Sequence, residues 1–294
     1  MRILNFGSLN IDHVYAVEHI ARPGETVTSR AYQLHAGGKG ANQSVALARA
    51  GAPVWHAGRV GPEGRWLLDR LRQAGVDVDL VCVGSEPTGH ALIQVEASGQ
   101  NSIVLFPGAN HAVDEAQVEA TMGRFSEGDI LLLQNEISCL TYILRTARDQ
   151  GLRICLNPAP FTPEVLACPL QCVDLLVANE SEAMGLVGGA PGDPDLIRAL
   201  AARFPEAAVV LTLGARGAVH CWRGVETRVP AVPVQAVDTT AAGDTFIGYF
   251  LWGWAGGAPV RRCLERAARA AAVCVTRSGA MDSIPTAAQV GGDS

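Results

Sequence analysis

The chain has 294 residues, 48% of them apolar and 18% charged, enough apolar surface to offset the entropy of ordering and to exclude a disordered protein. A formal net charge of -6 excludes the basic face that nucleic acid or an anionic membrane needs to displace counterions. No apolar run reaches about 18 residues and Met1 to Gly7 is too short for a secretory leader, so a soluble, cytoplasmic protein is expected.

Ile3 to Ser8 reads as a first strand. Asn10 and Asp12 follow it two positions apart, so an extended chain points both to one side, as a pair of sugar hydroxyls requires; an ordinary polar turn explains them equally. Residues 13–35 alternate apolar and polar, as do residues 88–106 around a Ser98-Gly99 turn. Both segments predict hairpins of a small second sheet, placed as a lid over the end of a larger one. A thin layer of this kind is marginal alone, so its apolar face predicts packing against a second subunit.

His35-Ala-Gly-Gly-Lys-Gly-Ala-Asn-Gln43 is a glycine-rich loop leading into the helical pattern Val45 to Ala50. Lys39 is the only lysine in the chain, a flexible point charge suited to following phosphate oxygens. The loop has the order of neither a P-loop nor a dinucleotide fingerprint, and a double-glycine turn by itself is more often structural.

Further strands are predicted at Val54 to Val60, Asp129 to Gln134, Leu152 to Asn157, Leu175 to Ala178, Val209 to Leu213 and Ala218 to Trp222, with a helix from Leu140 to Asp149. Strands alternating with helices give βαβ units, and hence an α/β fold whose mostly parallel sheet is covered on both faces. Ligands of such sheets lie beyond the carboxyl ends of the strands, where Asn10, Asp12, Glu136 and Asn179 fall. Asn179-Glu-Ser-Glu182 also has the spacing of a capping box.

In Asp238-Thr-Thr-Ala-Ala-Gly-Asp-Thr-Phe246, small residues precede a strongly apolar helical run. Unpaired N–H groups and the positive dipole end make such a helix start an anion site, and Gly243 lets a phosphate come close. Asp244 there is either a general base or a helix cap. Trp252 and Trp254 read as core. The eight cysteines read as buried thiols; Cys168 and Cys172 lack the partners of a metal site, and no histidine set has ligand or triad spacing.

Gly7-Ser-Leu-Asn-Ile-Asp12, Pro23-Gly-Glu-Thr-Val27, Gly37-Gly-Lys-Gly-Ala-Asn-Gln43, Gly108-Ala-Asn110, Leu156-Asn-Pro-Ala-Pro160, Asn179-Glu-Ser-Glu182, Thr212-Leu-Gly214 and Val237 to Phe246 come in an order that resembles the ribokinase-like (PfkB) carbohydrate kinase family nearly end to end. The resemblance implies one three-layer α/β/α kinase domain over residues 1–294, with the β lid as a dimer clasp. It implies phosphorylation of a sugar's terminal CH₂OH by MgATP. For the sugar it points to Asn10, Asp12, Gly38, Lys39, Asn42, Glu136 and Asp244. For ATP it points to Asn179, Thr212, Leu213, Gly214, Ala215, Arg216, Gly217, Gly243 and Asp244, with Glu182 helping to organise Mg²⁺ and phosphate.

By the same resemblance Asp244 is the base, and Ala241, Ala242 and Gly243 form the anion hole. An activating K⁺ would be held by Asp238, Thr240, Cys274, Arg277, Gly279 and Ser283. The chain departs from the family at Ala268, where His or Asn often lies near the adenine. Ribose is the leading substrate, since Asn10 and Asp12 are both present. Deoxyribose, another sugar or a nucleoside are alternatives, as is a catalytically silent sugar-binding regulator. A dinucleotide oxidoreductase lacks its fingerprint.

Overall fold

The computed structural model describes residues 1–291. In chain order its strands are β1 (Ile3–Phe6), β2 (Asn10–Val17), β3 (Ala31–Gly37), β4 (Val54–Val60), β5 (Asp77–Val83), β6 (Gly89–Glu96), β7 (Asn101–Phe106), β8 (Ile130–Leu133), β9 (Arg153–Leu156), β10 (Leu175–Asn179), β11 (Ala208–Thr212), β12 (Ala218–Trp222) and β13 (Val225–Val229). The main helices are α1 (Lys39–Ala50), α2 (Arg65–Gln73), α3 (Glu115–Met122), α4 (Leu140–Asp149), α5 (Glu180–Val187), α6 (Leu196–Arg203), α7 (Ala242–Ala255) and α8 (Val260–Val275).

The large sheet has the order β13-β12-β11-β10-β9-β8-β1-β4-β5 and is parallel except at β12 and β13. Its central strands are apolar on both faces because both are covered. Ile3, Ile130 and Leu132 pack with Val45, Leu47, Leu71, Tyr249 and Leu264 of α1, α2, α7 and α8. Leu4, Phe6, Leu131 and Leu133 face the other way, onto Val118, Ile143, Leu144, Ala183 and Leu200 of α3 to α6. The three-layer α/β/α expectation is met. The edge strands β5 and β13 were not legible as strands. Cys82, on β5, is exposed and corrects the reading of all cysteines as buried; Cys139, Cys168 and Cys172 are half-buried. Trp252 and Trp254 are half-buried against the core.

The second sheet has the order β3-β2-β6-β7, with β2 and β6 parallel. Its first hairpin runs past residues 13–35 at both ends, since Asn10 still pairs with Gly37. Asn10 and Asp12 are therefore part of the small sheet itself. Leu34, His13, Leu92 and Val104 lie opposite one another across the four strands, so they share a face. Leu34, Leu92 and Val104 are 50%, 43% and 64% exposed there.

Among the described residues no helix is long and apolar enough to cross a membrane.

Candidate active site

The glycine-rich loop turns the chain sharply from β3 into α1. Gly38 has φ 93°, and a side chain on Gly40 would put its Cβ 2.4 Å from the Ser8 amide nitrogen. Glycine at 40 thus lets the start of α1 lie against the end of β1, where the Ala41 N–H donates to Ser8 O at 2.9 Å. The helix begins at Lys39, six residues before the apolar pattern. Lys39, Asn42 and Gln43 consequently occupy its first turns.

A second close approach aligns α7 with α1. A Cβ on Gly248 would fall 2.4 Å from the Ala46 Cβ, so the two helices nearly touch at the backbone. Asp244 and Asn42 lie one turn before these residues. The Asn42 Nδ2 donates to Asp244 Oδ2 at 3.1 Å and the Gln43 Nε2 to Asp244 Oδ1 at 2.9 Å. The buried carboxylate is thus turned towards α1 and engaged there, not spent on capping its own helix.

The residue that caps α7 is Ala241, held at φ 61° and ψ 7°, a left-handed conformation uncommon outside glycine. The N–H groups of Ala242, Gly243 and Asp244 have no acceptor within the helix. The first of them reaches back to Thr239 O at 3.3 Å. Gly243 is exposed, and a Cβ there would meet nothing within 4 Å. The helix start therefore faces open space flanked by the carboxylate, an arrangement able to hold an anion beside a base.

The proposed sugar ligands assemble on the adjoining side. The Ser8 hydroxyl and the Lys39 N–H both donate to Glu136 Oε2, the second at 3.1 Å. The Leu9 N–H donates to Asn110 Oδ1 at 3.0 Å, which turns the Asn110 amide nitrogen onto Asn10 Oδ1 at 2.8 Å. That leaves the Asn10 NH₂ to face a ligand. Asn42 Oδ1 is buried without a hydrogen-bond partner among the described residues, an acceptor suited to a hydroxyl.

Burial, then the nearby Glu136 charge, pushes the Asp12 carboxyl up to about 7. Burial also raises Glu136 and Glu182, against the pull of Lys39 and of hydrogen bonds. For Lys39 burial works towards the neutral amine, but Asp244, Glu136 and Glu182 together outweigh it and raise its pKa. All three carboxylates thus favour the charged form of the Lys39 ammonium.

Of the residues expected to hold the nucleotide, Asn179 and Thr212 end the neighbouring parallel strands β10 and β11 in register. Asn179 and Glu182 form the expected capping box. Asn179 Nδ2 donates to Glu182 Oε1 at 2.8 Å, while the Asn179 N–H and Asn157 Nδ2 reach Oε2 at 3.0 and 3.2 Å. So engaged, Glu182 suits a fixed negative charge better than a direct metal ligand. The 213–217 turn closes with Leu213 N–H on Gly217 O at 2.8 Å, and Arg216 pairs with Glu180 at 2.5 Å. Gly217 has φ 94°, and a Cβ there would lie 2.0 Å from Val229 O. Ala268 is buried on α8.

The candidate cation residues also come together. Asp238 accepts from the Thr240 and Gly279 N–H groups, each at 2.9 Å; these bonds overcome burial and lower its pKa. The Cys274 thiol lies 3.0 Å from Ser283 Oγ and 3.7 Å from Thr240 O. The Arg277 N–H caps Cys274 O at 3.1 Å, while its guanidinium turns away to Gln289. This loop, rich in carboxylate, carbonyl and hydroxyl oxygens, fits a hard monovalent cation, with Arg277 able to offer only its backbone.

A model of the "pfkB family carbohydrate kinase" group matches residues 2–287. The chain belongs to this family. Among the relatives of this kinase, the ribokinase of Haemophilus influenzae is 38% identical over 289 residues, covering 95% of this chain and 94% of that one. The structure of Arabidopsis thaliana ribokinase complexed with ribose and ATP superposes with a TM-score of 0.86 at 31% identity, covering 98% and 97% of the two chains. The ribokinase of Cryptococcus neoformans in complex with ADP gives 0.84 at 35% identity, covering 98% of each.

The candidate site also contains residues to which no role was given from sequence: Asn5, Ser8, Asn110, Gln134 and Asn157. Asn110, in the turn after β7, has no sequence signal; for Asn5, Ser8, Gln134 and Asn157 the common signal is a polar side chain inside or just beyond an apolar strand, as in Ile3-Leu-Asn-Phe6. Such a residue must find a buried partner, and the sequence does not say which.

Proposed function

We propose that this kinase is a ribokinase, transferring the γ-phosphoryl group of ATP to the 5-hydroxyl of D-ribose in the cytoplasm and releasing D-ribose 5-phosphate and ADP. The observation that carries the reading is the buried Asp244 carboxylate at the open start of α7, beside Lys39 and Asn42 and within reach of a sheet that supplies Asn10 and Asp12. The relative whose structure holds ribose and ATP supports the choice of substrates.

Asn10, Asp12, Gly38, Lys39, Asn42 and Glu136 bind the sugar hydroxyls and orient the terminal CH₂OH towards Asp244. That carboxylate takes the hydroxyl proton as the oxygen attacks the γ-phosphorus. The N–H groups of Ala241, Ala242 and Gly243 hold the charge that develops on the phosphoryl oxygens. Asn179 and the 212–217 segment hold the nucleotide. Mg²⁺ carried on the phosphates would neutralise their charge, and Glu182 would help to organise that ion and the phosphates. Asp238, Thr240, Cys274, Arg277, Gly279 and Ser283 would hold a K⁺ ion, which would fix the loop before α7.

The kinase acts as one domain, with the small sheet as its lid and the lid's exposed apolar row as the contact of a homodimer. Turnover measured across ribose, 2-deoxyribose, fructose 6-phosphate and adenosine tests the substrate; ribose is expected to give the highest kcat/KM. Preference for a nucleoside would refute the ribose reading, and absence of phosphoryl transfer to every one of them would favour a silent sugar binder.

A further inference from the structure

Gln43 is fully buried and hydrogen-bonded to Asp244. Its Oε1 accepts from Gln134 Nε2 at 2.7 Å, and its Nε2 donates both to Asp244 Oδ1 at 2.9 Å and to Asn157 Oδ1 at 3.1 Å. The direction of these bonds is fixed from both ends by backbone carbonyls, which can only accept. At one end Asn5 Nδ2 donates to Gly40 O at 2.7 Å. Its Oδ1 must then face Gln134 Nε2, at 3.0 Å, and the same nitrogen faces Gln43 Oε1. At the other end Asn157 Nδ2 donates to Val177 O at 3.0 Å, so Asn157 Oδ1 must face Gln43. Both ends independently require the Gln43 NH₂ to point at the base.

The arrangement is held against a local cost. Gln134 Oε1 is buried with no partner among the described residues, and a flipped Gln134 would set that one carbonyl oxygen against both Gln43 Oε1 and Asn5 Oδ1. Asn157 Nδ2 also reaches Glu182 Oε2 at 3.2 Å. One polar chain therefore runs from the sugar side of the sheet, past Asp244, to the carboxylate beside the nucleotide strands.

We propose that Gln43 is a positioning residue for phosphoryl transfer, holding Asp244 Oδ1 so that Oδ2 and its remaining lone pairs face the sugar hydroxyl, with Gln134 and Asn157 fixing its polarity. The inference rests on Asp244 acting as base. Gln43 is fully buried and reaches the substrates only through Asp244, so its loss acts on turnover and leaves the other sugar ligands in place.

The test compares Gln43→Met, similar in length but without a donor, with Gln134→Met, which touches nothing on Asp244 and removes one of the two bonds that orient the Gln43 amide, leaving Asn157 Oδ1 as the other. A hydrogen bond to a charged group converts to roughly 10- to 100-fold in kcat for Gln43→Met. Gln134→Met is expected to lose roughly threefold to tenfold, about the weight of one neutral hydrogen bond. The sugar dissociation constant by calorimetry should stay within about twofold of the parent in both variants, since neither removes a sugar contact.

Turnover of Gln43→Met within twofold of the parent overturns the proposal, as does a loss confined to sugar affinity. If Gln43→Met does not fold, as judged by circular dichroism, Gln134→Met decides; failure of both to fold makes the chain purely a core element and overturns the proposal as well. Asp244→Asn run in parallel separates the two readings. Full turnover in that variant removes the base assignment itself, whereas a dead Asp244→Asn beside an unimpaired Gln43→Met removes only the role of Gln43.

Discussion

The side-chain amide of Asn42 donates to Oδ2 of Asp244 at 3.1 Å, across 202 positions of sequence. The bond joins the first turns of α1 and α7, which Ala46 and Gly248 clamp one turn further on. The glycine-rich loop and the candidate base are thereby joined through two helices in close contact.

Asp244→Asn keeps the shape of this contact but removes the proton acceptor. Sugar affinity should persist while turnover falls by roughly 10² to 10⁴, the range for a lost general base. Steady-state rates with a calorimetric sugar titration check this, and unchanged turnover would remove Asp244 from the mechanism.

Asp12 gives a pH signature. Its carboxyl is raised from 3.8 to about 7, so between those values the folded protein keeps a proton that the unfolded chain has released. The stability this group contributes is fully present below about pH 4 and is lost as the pH rises through about 7. Thermal melts of Asp12→Asn should therefore gain on the parent as the pH increases across that window. A difference independent of pH would rule out the raised carboxyl.

Asp238 gives an ionic one. Turnover in potassium should exceed that in sodium or lithium, and potassium alone should raise the Tm of the sugar-free protein. Asp238→Ala should abolish both effects. Equal rates and equal Tm values in sodium and potassium would leave Asp238 only its bonds to Thr240 and Gly279.

Gly217→Ala must move the 213–217 turn, because its Cβ would fall 2.0 Å from Val229 O at a φ of 94°. The strain is of order 1–3 kcal/mol. KM for ATP should rise by roughly tenfold, about the weight of one displaced hydrogen bond, with KM for the sugar little changed. A rise in sugar KM instead would place the turn outside the nucleotide site.

Leu34 and Val104 test the lid. Aspartate at both puts charges on its exposed apolar row and should yield a monomer by light scattering, with the α/β core still folded. A dimer that survives the change would move the interface elsewhere.

The sequence by itself determined the layers, the glycine-rich loop, the helix start before Asp244 and the family, because each is written in a local period, a run of small residues or an ordered series of motifs. Alternating strand and helix patterns already gave a sheet covered on both faces, and residues 35–43 already read as a glycine-rich loop leading into a helix. Tertiary structure decided what Asp244 does with its carboxylate, which locally could as well have capped a helix. It also decided that Asn5, Gln134, Gln43 and Asn157 form one directed chain that meets it. A buried amide declares that it needs a partner, but hydrogen bonds have no sequence period, and only packing α1 against α7 and β1 against β8 fixes which partner it finds.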